Sequence, residues 1–149
     1  MSTREKQATK IRPIKESLLL NIGGALSDVR LAGTRCAICK ETSLGLVPLC
    51  PNCGSDRVSE LPLSNRGTVW TYTVARHKPP GDYRGPDPFV PFAIALVELP
   101  EGLRVVSRVD GNVEKIDVGM LVDFTPVARH DADGTTVIAF TYQPAKSAP

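Results

Sequence analysis

Cys36-Ala-Ile-Cys39, ten further residues, then Cys50-Pro-Asn-Cys53 is the stretch that decides how the first half of this chain folds. In C-x2-C each pair turns back as a knuckle that aims two thiolates at one point, and an intervening hairpin brings the two pairs together as a tetrahedron around one metal ion. Structural zinc suits such a set, and four protein thiolates leave it no open position for chemistry. The surrounding module, residues 30–62, contains no aromatic side chain. Burial alone cannot hold so small a unit, whereas bound zinc contributes an apparent ~10–16 kcal/mol that becomes folding free energy. A pair of disulfides would need an oxidising compartment, for which no export signal is present. A mononuclear iron centre uses the same four thiolates, and Cys50-Pro51-Asn52-Cys53-Gly54 would serve as one of its knuckles. The missing aromatic shell, and Lys40 where the first knuckle wants glycine, speak against iron.

Working outward, residues 1–29 read as an N-terminal arm. Residues 1–13 are polar and basic and are closed by Pro13, the pattern of a frayed terminus. Ile14, Leu18, Ile22 and Leu26 recur at helical spacing, but Gly23-Gly24 interrupts them at a cost of about 2 kcal/mol relative to two alanines, so no long helix is expected.

On the C-terminal side all eight aromatic residues begin at Trp70, so only this half can build a core that includes them. Gly67 to Ala75 alternates, which assigns Trp70, Tyr72 and Val74 to one face of a strand. Phe92 to Val97 is continuously apolar, as in a strand buried on both faces, and Glu98-Leu99 extends it to a turn at Pro100-Glu101-Gly102. Leu103 to Val109 pairs back as a hairpin and sets Arg104, Val106 and Arg108 on one face. Gly119 to Arg129 and Thr135 to Gln143 supply two more strands around a turn at Asp131 to Gly134. Five strands without a helix predict a mainly β chain in which residues 63–149 form a small five-stranded barrel of the oligonucleotide/oligosaccharide-binding (OB) type, an open sandwich being the alternative.

The 149 residues fit one ordinary domain or two small modules. Hydrophobic residues at 42% and charged residues at 23% describe a globular chain. A net charge of +2 is too weak a field to indicate nucleic acid or an anionic membrane as partner. Charge divides at Gly67 into +4 before and −2 after, which supports two modules joined near Leu61 to Arg66. The longest apolar run, Phe92 to Val97, falls far short of the ~20 residues a spanning helix needs. The opening residues lack the apolar region of a secretory signal, so a cytoplasmic location is expected.

Arg76 to Pro91 (RHKPPGDYRGPDPFVP) breaks the strand pattern with five prolines and two glycines, and long loops of this kind in compact domains are usually either functional or disordered. Tyr83 and Phe89 offer flat apolar contact area, while Arg76, Lys78 and Arg84 offer cations against Asp82 and Asp87. The metal takes every cysteine, so no thiol nucleophile remains, and His77 and His130 belong to no recognisable catalytic motif. Arg104 and Arg108 could meet an anionic ligand, but with no phosphate motif beside them a solvated strand face is the better explanation.

Taken in order, RLAGTRCAIC (Arg30 to Cys39), CPNCG (Cys50 to Gly54) and RGTVWTYTVARHKPPGDYRGPDPFVPFAIALVELPEG (Arg66 to Gly102) resemble acyl-CoA-associated proteins that fuse a rubredoxin-like zinc ribbon to an OB-fold. The likeness runs over residues 30–143. It implies that Cys36, Cys39, Cys50 and Cys53 hold one structural zinc per chain. It also implies a non-catalytic accessory subunit of a thiolase (acyl-CoA C-acyltransferase) complex, similar to the small subunit of the benzoylsuccinyl-CoA thiolase of anaerobic toluene breakdown. The expected partner is a thiolase-fold catalytic subunit in a hetero-oligomer, with acyl-CoA met through the complex. Arg76, His77, Lys78, Tyr83, Arg84 and Phe89 would then lie on the loop that reaches the partner's acyl-CoA site. A partner subunit of an acyl-CoA hydratase or aldolase, or a single-stranded nucleic-acid binder, are the alternatives.

Overall fold

The computed structural model describes residues 10–146, which form ten strands and two single 3-10 turns but no α-helix among the described residues. The chain divides into two compact units. The first runs to Leu63 and also contains Pro126–Phe140; the second contains Ser64–Thr125 and resumes at Thr141.

In the first unit the ribbon is built on β3 (Arg30–Cys36), which pairs antiparallel with β2 (Leu19–Leu20), β4 (Thr42–Leu44) and β5 (Val58–Pro62). β3 is central because it carries the buried residues Leu31, Ala32 and Thr34. The Thr34 hydroxyl donates to the Gly45 carbonyl at 2.7 Å and accepts from the Val47 N–H at 3.2 Å, tying the chain beyond β4 to the central strand. Where the sequence predicts a frayed terminus up to Pro13, residues 11–13 are instead tied down. β1 (Ile11–Pro13) pairs in parallel with β10 (Thr136–Pro144) at Ile11↔Thr136 through Pro13↔Ile138. Pro13 is tolerated because β1 is the edge strand of its sheet, where a missing N–H breaks no ladder. The helical spacing of Ile14, Leu18, Ile22 and Leu26 comes to nothing: Ser17 and Asn21 take positive φ values of 67° and 65° on either side of β2, and neither fits a helix. Residues 1–9, the rest of the expected frayed arm, lie outside the described residues.

The second unit carries most of the barrel. β6 (Arg66–Ala75), β7 (Phe92–Glu98), β8 (Arg104–Val109), β10 and β9 (Leu121–His130) follow one another by hydrogen bonding, and β9 pairs with both β6 and β10, so five strands close into an OB barrel. Its interior in this unit includes Val69, Ala93, Ala95, Val97, Val105, Val109, Val122, Phe124 and Tyr142. Phe124 and Tyr142 meet edge to face at 5.9 Å between ring centres. Burial pushes the Tyr142 phenol far up from its ordinary range, aided by the Glu101 carboxylate. Arg66 and Asp123 stand opposite one another on β6 and β9 and join in a two-pronged ion pair of 2.8 and 3.3 Å, which brackets the seam of the barrel.

Two sequence expectations change. The β6–β7 register slips between Val69 and Thr71, a bulge at Trp70. Tyr72 and Val74 pair with Ala95 and Ala93, on the side of β7 that is buried, although Tyr72 itself stays 37% exposed; the bulge turns Trp70 to the other side, under Arg104, so Trp70 does not share their face. β7 is buried on one side only: Ala93, Ala95 and Val97 are buried, whereas Phe92, Ile94 and Leu96 stay half-exposed. The small size of the two alanines explains how a continuous apolar run can line a narrow barrel with one face and still leave large side chains on the other.

Candidate functional site

The metal centre is assembled from two loops with the same local geometry. In the first, the Lys40 N–H donates to the Cys36 carbonyl at 3.1 Å, the Cys36 N–H to the Glu41 carbonyl at 3.0 Å, and the Ile38 N–H to Cys36 Sγ at 3.4 Å. In the second, the Gly54 N–H donates to the Cys50 carbonyl at 2.9 Å, the Cys50 N–H to the Ser55 carbonyl at 2.8 Å, and the Asn52 N–H to Cys50 Sγ at 3.4 Å. Each loop turns on a residue with positive φ: 79° at Gly54 and 68° at Lys40. Lysine therefore occupies a left-handed position that favours glycine. Lys40→Gly is expected to stabilise the ribbon by about 1 kcal/mol with metal content unchanged, read as a higher denaturant midpoint; a lower midpoint would show that the Lys40 side chain contributes something the backbone does not reveal.

The four sulfurs lie within 4.8 Å of one another, with Cys36–Cys53 at 3.6 Å and Cys39–Cys50 at 3.5 Å. Four ligands about 2.3 Å from a shared tetrahedral centre would stand roughly 3.8 Å apart, so the cluster has the size and donor set of a single structural zinc site. Cys36 and Cys50 are buried, Cys39 is half-buried and Cys53 is exposed. The Cys39 N–H, with help from that of Ile38, pulls the Cys36 thiol down to about 6 against the effect of burial. The Asn52 side chain lowers Cys39. The Ser55 N–H pulls Cys53 the same way, but lost solvation and the three neighbouring thiols outweigh it and push Cys53 up to about 11. Four close sulfurs cannot all carry charge by themselves; a divalent cation resolves that conflict, which is why such sites release their metal in acid.

The Pro-rich loop packs its aromatic side chains on one another and on Phe92. Tyr83 and Phe89, half-buried, pack on each other and on Phe92 with ring centres 5.7 to 6.3 Å apart, so much of their area is spent within the chain. Gly85 lies so close to the Tyr83 ring that a Cβ there would collide with it. Arg76 reaches out of the loop to Glu114 at 3.2 Å, and Arg84 meets Asp82 at 3.7 Å in full solvent. His77 and Lys78 are exposed. The loop is thus braced at its C-terminal end by three rings and presents its cations outward.

Arg104 and Arg108 lie on the exposed face of β8, as the sequence suggested, and each guanidinium rests on an aromatic ring there. The Arg104 guanidinium sits 3.9 Å from the Trp70 ring centre and also bonds Glu98 at 3.2 Å; that of Arg108 sits 4.1 Å from the Phe92 ring centre. The alternation Arg104, Val106, Arg108 was visible in the sequence, but the bulge that brings Trp70 under Arg104 was not.

Residues 60–125 match the family described as ChsH2, C-terminal OB-fold domain. Among curated proteins, a probable enoyl-CoA hydratase alpha subunit of Thermomonospora curvata is 38% identical over 99 residues, covering 66% of this chain and 30% of that protein, so the match spans less than a third of that relative. A DUF35 domain-containing scaffold protein of Pyrococcus furiosus is 34% identical over 101 residues, covering 65% of this chain and 71% of its own. The benzoylsuccinyl-CoA thiolase subunit BbsA of Geobacter metallireducens is 29% identical over 116 residues, 76% of this chain and 73% of its own. Among solved structures, a chain of the Ltp2-ChsH2(DUF35) aldolase superimposes with a TM-score of 0.57 at 33% identity, over 77% of this chain and 84% of that one. No helix among the described residues is long and apolar enough to cross a membrane.

Proposed function

This chain belongs to the DUF35 domain-containing proteins, and from that membership we propose that it is an accessory scaffold subunit, without catalysis of its own, in a thiolase-type acyl-CoA acyltransferase complex. One observation carries the reading: all four cysteines of the chain are gathered in one cluster of metal-site dimensions. A thiolase needs a cysteine nucleophile with general bases beside it, so that chemistry falls to another polypeptide. The thiolase subunit BbsA supports the choice of reaction. In this role the barrel holds the Pro-rich loop against the catalytic subunit, where Arg76, His77, Lys78, Tyr83, Arg84 and Phe89 help to order the acyl-CoA channel and exclude water.

A second reading, a scaffold for an acyl-CoA hydratase or aldolase, is favoured by the higher identity to the hydratase alpha subunit and to the aldolase chain. Steady-state assays of the isolated complex separate the two: thiolysis consumes free CoA, hydration and aldol cleavage do not. Replacing Lys78 to Phe89 by a Gly/Ser linker is expected to leave bound zinc and the strand signal intact while lowering turnover of the complex at least tenfold, on the order of what misplaced substrate costs. Unchanged assembly together with unchanged kinetics would reduce the loop to a connector.

A further inference from the structure

One side of the β6–β7–β8 sheet faces solvent with the wrong composition for a solvated face. On β8 the inward residues Val105, Ser107 and Val109 are buried, while Arg104, Val106 and Arg108 point outward, Val106 being 64% exposed. The register pairs Ile94 with Arg108, Leu96 with Val106 and Glu98 with Arg104, so half-exposed Ile94 and Leu96 share this side. Trp70 adds its ring under Arg104, and Phe92 lies under Arg108. The result is an apolar strip with two guanidinium groups laid flat on it, rich in Trp and Arg and poor in Lys, as the energetic centres of protein interfaces are.

The two arginines differ. Arg104 is neutralised by Glu98. Arg108 has no carboxylate within ion-pair distance among the described residues, and its ring contact leaves the guanidinium donors without an acceptor. A cation held on an apolar strip calls for a carboxylate brought by whatever covers the strip. A second copy of this face fits poorly, since its one acidic group, Glu98, is already paired with Arg104 and leaves nothing to meet Arg108. Stacked bases fit poorly too, because the arginines already cover a face of both rings.

We propose that the outer face of β6–β8 is the docking surface for the catalytic subunit, which covers Trp70, Leu96 and Val106 with apolar side chains and sets an Asp or Glu against Arg108. The inference rests on the scaffold reading and adds to it the surface and its chemistry. The test uses tagged full-length chain produced in the organism it comes from, as wild type, Val106→Asp and Arg108→Glu. Each variant is expected to retain at least about tenfold less of an acyl-CoA enzyme subunit than wild type, with melting temperature and zinc content unchanged. In an otherwise wild-type chain, a photo-crosslinking residue at position 106 is expected to join that same subunit, a result that does not depend on how the charged variants fold. Equal retention by wild type and variants, without a crosslink from 106, would overturn the surface and leave the scaffold reading in place. No acyl-CoA enzyme subunit on the wild type would overturn both. A wild-type dimer that Val106→Asp converts to monomer, or salt-sensitive binding of a single-stranded oligonucleotide that Arg108→Glu abolishes, would identify a different occupant and overturn the proposal.

Discussion

Cys50→Ser is expected to lose the bound metal and unfold the ribbon while most of the barrel's strand signal persists. The sulfur of Cys50 stands 3.5 Å from that of Cys39 and receives the Asn52 N–H, so its removal takes away a ligand and the anchor of the second knuckle together. A hydroxyl is a poor zinc ligand at neutral pH, and the ribbon's own buried apolar side chains are few and none is aromatic: Leu19, Val29, Leu31, Ala32 and Leu63 are the main ones around β3. The metal's apparent ~10–16 kcal/mol is as large as the total stability of an ordinary domain, about 5–15 kcal/mol, so no rearrangement of these side chains compensates for its loss. Elemental analysis should fall from about one zinc per chain towards none, and amide exchange over residues 30–62 should become fast. Full zinc occupancy in the variant, or preserved protection of β3, would show that three thiolates and the chain suffice.

Gly67→Val should be the most damaging single change in the barrel. Gly67 sits in β6 opposite Val122 of β9, at the seam where the barrel closes. A Cβ built there meets Val97 Cγ1 at 2.5 Å, the Glu98 carbonyl oxygen at 2.8 Å and Leu99 Cδ2 at 3.0 Å. A side chain can swing away, but the Glu98 carbonyl belongs to β7 and cannot move without opening the β6–β7 ladder. Overpacking against backbone costs about 3 kcal/mol or more, which for a chain of this size lowers the melting temperature by roughly 6–12 °C. The barrel, unlike the ribbon, should lose stability without losing zinc. A melting temperature equal to wild type would mean that β6 can shift away from β7 more freely than the register indicates.

How far the sequence could be read depended on how local the cause was. The period of two in Gly67 to Ala75 and in Leu103 to Val109, and the turn residues between strands, place five barrel strands within about two residues of those observed, because alternation and turn chemistry are properties of neighbouring residues. The four cysteines were legible for the same reason: the spacing itself makes the knuckle. β1 was not legible, since Ile11-Arg12-Pro13 has no strand pattern and pairs only because β10 offers it an edge from 125 residues away. The bulge at Trp70 lies between residues that alternate faultlessly, so the exposed Trp70–Arg104 stack could not be foreseen. Tyr83 and Phe89 read as free contact area for a partner; their packing on Phe92 depends on the path of a loop whose prolines restrict it without dictating it.

A division of labour between this chain and a catalytic partner underlies the proposed function. Turnover of acyl-CoA thioesters, measured on the zinc-loaded chain alone and on the complex isolated with it from its own organism, tests that division directly. No turnover is expected from the chain alone, and turnover is expected from a complex in which an acyl-CoA enzyme subunit is present in a fixed ratio to this chain. Turnover by the chain alone, or its recovery as a solitary monomer at micromolar concentration, would contradict that division.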